Sequence, residues 1–191
     1  MKQMKTIAGI ITAAFILIGS NTYAQLSKVY ISLDGTISFF SETPVENIDA
    51  VSQTLSCVLK PSTNEINYLV KITSFKFKKP LMQEHFNEKY LESDKYPLAS
   101  FKGKINEEID WSKDGVYPIS ATGNLKIHNV EKPYTEKGRL TIKDGKFTVE
   151  GSFNVKTADH DIEIPTLVMT NIAEVINVKH NCTLTPYVAK K

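Results

Sequence analysis

Arginine is almost absent. Of 23 basic residues, Arg139 is the single arginine and the rest are lysine. Planar, bidentate clamping of phosphate or carboxylate favours arginine, so clamps of that kind are scarce here. A surplus of positive charge is missing too. The formal net charge is +2, and Lys2 and Lys5 lie in an N-terminal leader, so the remaining chain balances 21 basic against 21 acidic residues. That balance argues against a nucleic-acid binder, which displaces counterions with excess Lys and Arg. Only two cysteines occur, Cys57 and Cys182, without histidine at ligand spacing, so no zinc site and no other metal site is expected. The H-E-x-x-H, C-x-x-C and G-x-S-x-G motifs and the phosphate-binding glycine loop are all lacking. Nothing calls for a cofactor. Helical periodicity is rare, internal repeats are absent, and no run beyond the leader is apolar enough to cross a bilayer.

The first 24 residues, MKQMKTIAGIITAAFILIGSNTYA, have the three parts of a secretory signal peptide. Lys2 and Lys5 precede an uncharged run from Ile7 to Gly19, and Thr22 and Ala24 offer small residues before a cut at Gln25. The expected product is one domain over residues 25–191, exported, with the periplasm as first destination and secretion as the second. Export puts Cys57 and Cys182 in a compartment that permits disulfides. Whether they bridge depends on a Cα separation that sequence does not give.

What the chain has in abundance is period two. Asp144-Gly145 between alternating runs signals a hairpin. A two-residue turn there sets Lys143 against Lys146, Ile142 against Phe147, Leu140 against Val149 and Gly138 against Gly151. Apolar residues then meet apolar residues, so the register is self-consistent. Alternation recurs through Ile66, Tyr68, Val70 and Ile72, with a phase slip near Thr73-Ser74 that predicts a bulge or bend. It recurs again at Ala99, Phe101, Gly103 and Ile105, and at Ile119, Ala121, Gly123, Leu125 and Ile127. The opening VYISLDGTISFF is strand-rich, though a turn at Asp34-Gly35 gives a poor register. A last strand is expected from about Ala173 to Pro186. Pro80 opens one or two helical turns, and a second short helical piece is expected after Pro165. Eight or more strands with short turns predict an all-β sandwich or closed barrel.

The inner row mixes small residues (Ala99, Gly103, Ala121, Gly123, Gly138, Gly151) with large ones. An eight-stranded barrel either fills with side chains or holds a small ligand. The small residues fit an apolar cavity, and equally fit relief of strain where strands coil sharply. The polar candidates are weaker. Asp159-His160-Asp161 reads as a solvated loop, since adjacent residues point apart and ligate one ion awkwardly. His85 sits in the short helix, His128 faces out or lies at a strand end, and Trp111 stands before a turn, where it serves packing or, as the second reading, a rim.

Three stretches carry a resemblance: FNEKYLESDKYPLASFKG, GNLKIHNVEKP and FNVKTADHDIEIP. Their order resembles the YceI-like family of exported bacterial proteins over roughly residues 66–187. The resemblance implies an extended antiparallel, lipocalin-like β-barrel of about eight strands with a long apolar tunnel. It also implies a non-catalytic periplasmic carrier that takes a polyisoprenoid or other lipid with a long isoprenoid or acyl chain, and that touches a membrane surface in passing. The inner positions expected to line the ligand are Tyr68, Val70, Phe101, Ile119, Leu125, Leu140, Phe147, Val149 and Phe153, with His85 near a polar head. Two other readings are open. One is a hydrolase or isomerase working in the same tunnel through His85, Asp159 and His160. The other is a filled barrel whose outer face binds a protein.

Overall fold

Alternating apolar residues with β-branched and aromatic neighbours favour strands, because a half-buried pleated surface suits them. The computed structural model describes residues 28–164 and 172–188. The leader and its cut therefore lie outside the described residues, and so does most of the expected helical piece after Pro165. Nine strands form among the described residues: β1 (Tyr30–Glu42), β2 (Asn47–Lys60), β3 (Glu65–Lys71), β4 (Lys76–Phe77), β5 (Leu98–Ile105), β6 (Gly115–Ile127), β7 (Val130–Lys143), β8 (Lys146–Lys156) and β9 (Val175–Pro186). Their order is β1-β9-β8-β7-β6-β5-β3-β2, and β1 pairs with β2 in turn. All pairings are antiparallel, so the sheet closes into an eight-stranded barrel, with β4 added beside β2. Closure removes the free edges that an open sheet would expose. No helix among the described residues is long and apolar enough to cross a membrane.

The β7–β8 hairpin has the register expected from its sequence: Ile142 faces Phe147, Leu140 faces Val149 and Gly138 faces Gly151. Asp144 (φ 50°) and Gly145 (φ 72°) both take left-handed backbone, the requirement of the two-residue turn that matches strand twist. His128 and Asn129 make the same kind of turn between β6 and β7. The phase slip near Thr73-Ser74 is a short 3-10 turn, Ile72–Ser74. Helix α1 (Pro80–His85) runs on into one π-type turn, Phe86–Tyr90. Asp34-Gly35 is not a turn. β1 continues through it with register shifts against β2 on both sides of Gly35. The irregularity bends one long strand so that it can pair with β2 and β9 at once.

The lumen is divided. At the end where β7 meets β8, and where β1 starts and β9 finishes, it is packed solid. Tyr30 lies on Phe147 with ring centroids 4.1 Å apart, and Trp111 covers Phe147 at 5.4 Å. Leu59, Ile66, Leu140, Phe147 and Leu184 have no measurable exposure. Truncating a side chain in such a core removes its transfer free energy and leaves a void. Leu140→Ala is expected to cost about 2–5 kcal/mol in urea unfolding; a loss below about 1 kcal/mol would contradict a packed lumen at this end.

Candidate functional site

Apolar side chains also face inward at the other end of the barrel, but they do not meet. They enclose a cavity of about 290 Å³, close to the lower limit for ligand clefts. Its wall comes from the ends of β1, β3, β6 and β8 and the beginnings of β2, β5, β7 and β9. Helix α1 and the turn after it contribute Met82, His85, Phe86 and Tyr90. Four phenylalanines group on this side. Phe86 stacks on Phe39 at 5.4 Å and meets Phe75 and Phe77 at 5.7 and 5.0 Å. Aromatic rings supply large apolar area at little conformational cost. The backbone N–H of Ala173 donates to the buried Ser41 Oγ at 2.8 Å, which ties the approach to β9 against the end of β1.

The floor of the cavity is polar. Glu136 on β7 and His180 on β9 are both buried, and Glu136 Oε2 lies 2.8 Å from His180 Nε2. The two residues sit on either side of β8, and Gly151 lies between them, paired with His180 on one side and Gly138 on the other. A Cβ at Gly151 would come within 2.3 Å of His180 Nε2 and 3.1 Å of Glu136 Oε2. This glycine therefore makes room for the ion pair, not for a guest. Gly138 is confined differently, since a Cβ there would come within 2.3 Å of the Glu150 carbonyl oxygen. Of the small inner residues weighed above, Ala99 lines the cavity and the four glycines do not.

Next to the pair lie Tyr68 and the two thiols. Tyr68 stacks obliquely on His180 with centroids 4.5 Å apart, and its buried hydroxyl has no hydrogen-bond partner among the described residues. Burial, followed by the Glu136 charge, pushes that hydroxyl well above the usual tyrosine range. Cys57 and Cys182 are free thiols, both fully buried. Hydrogen bonding with Cys57 brings Cys182 down to about 6 against its own burial, with His180 acting in the same sense. Burial pushes Cys57 up. Burial alone would lower His180, but the adjoining Cys182 sulfur and the Glu136 carboxylate lift it to about 9, while its buried Nδ1 has no hydrogen-bond partner among the described residues.

The ten residues singled out from the sequence separate by height in the barrel. Tyr68, Val70, Phe101, Leu125, Phe153 and His85 line the cavity. Ile119, Leu140, Phe147 and Val149 face inward but belong to the packed end, outside the cavity wall. The space is accordingly a blind cavity and not a tunnel through the barrel. Alternation places a residue inside or outside but says nothing about how far along the axis the lumen is filled. The acid/base set does not assemble either. Asp159 faces solvent, while His160 is buried with Nδ1 3.1 Å from the Val130 carbonyl oxygen. No group of three or more metal-ligating side chains occurs among the described residues. Trp111 is buried packing, as its place before a turn suggested.

Sequence reasoning passed over Glu136 and His180, although the signal was present. Reading the inner row of β7 backwards from Leu140 through Gly138 reaches Glu136, and the row Cys182, Leu184 extends back to His180. A charged residue on an apolar row is the mark of a buried polar group. Removing one member of a buried pair strands the other. Glu136→Leu alone is expected to cost about 3–5 kcal/mol in chemical unfolding, with most of it recovered in Glu136→Leu/His180→Leu. A single variant as stable as the parent would contradict burial of the pair.

Comparison with known proteins agrees with the architecture. The sequence model of the YceI-like domain matches residues 22–184. No functionally curated protein matches. Among solved structures, a polyisoprenoid-binding domain from Saccharophagus degradans, implicated in plant cell wall breakdown, superposes with a TM-score of 0.71 at 12% identity, over 84% of this chain and 99% of that one. BcnA of Burkholderia cenocepacia gives 0.67 at 15%, over 81% and 99%. The YceI protein of Campylobacter jejuni gives 0.55 at 15%, over 99% and 100%. At these identities the likeness is one of fold.

Proposed function

The chain belongs to the YceI-like family, and from that premise we propose that it is a non-catalytic carrier which holds the tail of a polyisoprenoid or other long-chain lipid. One observation carries the reading. A barrel whose other half is filled with buried side chains keeps about 290 Å³ of apolar space at one end. Protein interiors normally close such voids, because an unfilled lumen forfeits packing contacts. A guest restores them. Hydrophobic transfer contributes about 25 cal/mol for each Å² of apolar surface withdrawn from water. Part of that gain is offset by the lost freedom of protein and ligand.

The related domain from Saccharophagus degradans is described as polyisoprenoid-binding, which supports an isoprenoid as the first tail to test. The leader Met1–Ala24 supports export, with the periplasm as destination and residues 25–191 as the working domain. Exposed Val45, Leu81 and Leu98 adjoin the cavity-lining residues Glu46, Met82 and Ala99. Such side chains suit brief contact with the membrane surface from which a tail is drawn. His85 lies on the helical side of the same opening.

The test is mass spectrometry of organic extracts from the purified protein, together with displacement of a neutral fluorescent probe by prenols and fatty acids. Phe153→Glu puts an unpaired carboxylate into the cavity wall and is expected to abolish uptake. Leu140→Ala, in the packed end, is expected to bind normally despite its lower stability. Absence of any co-purifying amphiphile, combined with no uptake of prenol or fatty acid, would overturn the carrier reading.

A further inference from the structure

Cys57 and Cys182 have no part in holding a tail, yet the barrel brings them together. They are the only cysteines of the chain. Cys57 stands on β2 and Cys182 on β9, strands that are not neighbours, because β1 runs between them and pairs with both. In a flat sheet, strands two places apart lie about 9.5 Å from each other. Here β2 and β9 approach across β1 to within 8 Å between Cα atoms. In this stretch β1 is irregular, with Ser32 opposite Cys57 and Gly35 opposite Leu55. Gly35 is what leaves the way open. A Cβ at this position would come within 2.5 Å of Cys182 Sγ, on the β9 side, and 2.9 Å of the Leu55 carbonyl oxygen, on the β2 side. The Cys182 sulfur thus lies over bare backbone of β1 and reaches Cys57 beyond it, and the two thiols are hydrogen-bonded. Both are fully buried.

We propose that Cys57 and Cys182 are an oxidation site, and that in an oxidising compartment they form a disulfide that staples β2 to β9 across the strand closing the barrel. The oxidant is another disulfide, carried by a small thiol or by a protein. Because the folded barrel seals both sulfurs from solvent, the oxidant meets them before closure. One cysteine thiolate attacks the oxidant, forms a mixed disulfide and releases one thiol. As the barrel closes, the other cysteine attacks the first one's sulfur, the new S–S bond forms, and the second half of the oxidant leaves as a thiol. The cysteine pair gives up two electrons and two protons, and the oxidant takes up both. The cross-link restrains the unfolded chain over a loop that runs from β2 to β9 and so contains most of the barrel, and long loops gain most from such restraint. Closure then rests on a covalent bond as well as on the hydrogen bonds of β1. The inference does not depend on the carrier reading.

The test supplies its own oxidant, so its failure leaves both the carrier reading and export standing. The purified protein is unfolded in urea with dithiothreitol and refolded either in mixed reduced and oxidised glutathione or in dithiothreitol alone. After alkylation with iodoacetamide under denaturing conditions, the glutathione sample is expected to be unalkylated and lighter than the reduced chain by two hydrogens. Peptide mapping without reduction is expected to find Cys57 joined to Cys182. Protein isolated without reductant from the periplasm of a bacterial expression host is expected to carry the same linkage. The thermal midpoint of the bridged protein is expected to lie at least about 5 °C above that of the reduced one. In Cys57→Ala/Cys182→Ala the two refolding buffers are expected to give one midpoint. Alkylated or glutathione-capped cysteines in folded protein from either route overturn the bridge and leave the pair as buried core thiols. A bridged protein with an unchanged midpoint overturns its role as a staple.

Discussion

A sheet of eight strands that closes on itself encloses a lumen of fixed girth, and the chain must either fill that lumen or leave it for something else. Everything distinctive here follows from that constraint being met in two ways along one axis. Closure depends on β1, which pairs with β2 on one side and β9 on the other. Its irregular register around Gly35 lets one strand follow both neighbours. Without that strand the sheet would have two open edges and no interior.

The packed end and the hollow end divide the labour between stability and binding. Tyr30, Trp111, Leu140 and Phe147 interlock as an ordinary core. That core supplies the stabilisation that the hollow half forgoes, since cavity walls lose dispersion contacts on one side. The hollow end compensates in part with aromatic packing around Phe86, which fixes helix α1 and its π-type turn against β1 and β4. Natural proteins commonly keep such locally under-packed sites where function needs them.

Between the two halves sits the Glu136–His180 pair. Its position explains one of the glycines better than any argument about strand curvature, because the side chain of any other residue at 151 would collide with the imidazole. The pair marks the depth at which the hollow part of the lumen gives way to the packed part. The neighbouring thiols share its electrostatics: Cys57 does most to lower Cys182, and His180 adds to that while Cys182 and Glu136 raise His180.

Much of the barrel was legible in residue order alone. Period-two alternation identified the strands, Asp144-Gly145 located a hairpin to the residue, and Ile142–Phe147 and Leu140–Val149 were paired by matching apolar to apolar. Family resemblance supplied barrel closure and the expectation of a lumen. Depth within that lumen was not legible, and so Ile119, Leu140, Phe147 and Val149 looked no different from Tyr68, Phe101 and Phe153. A strand pattern records which face a side chain occupies, while the filling of the space behind it depends on residues contributed by seven other strands. For the same reason only the tertiary structure brought Glu136 and His180 together over Gly151. They are 44 positions apart, and what joins them is the lateral order of β7, β8 and β9 within a closed ring.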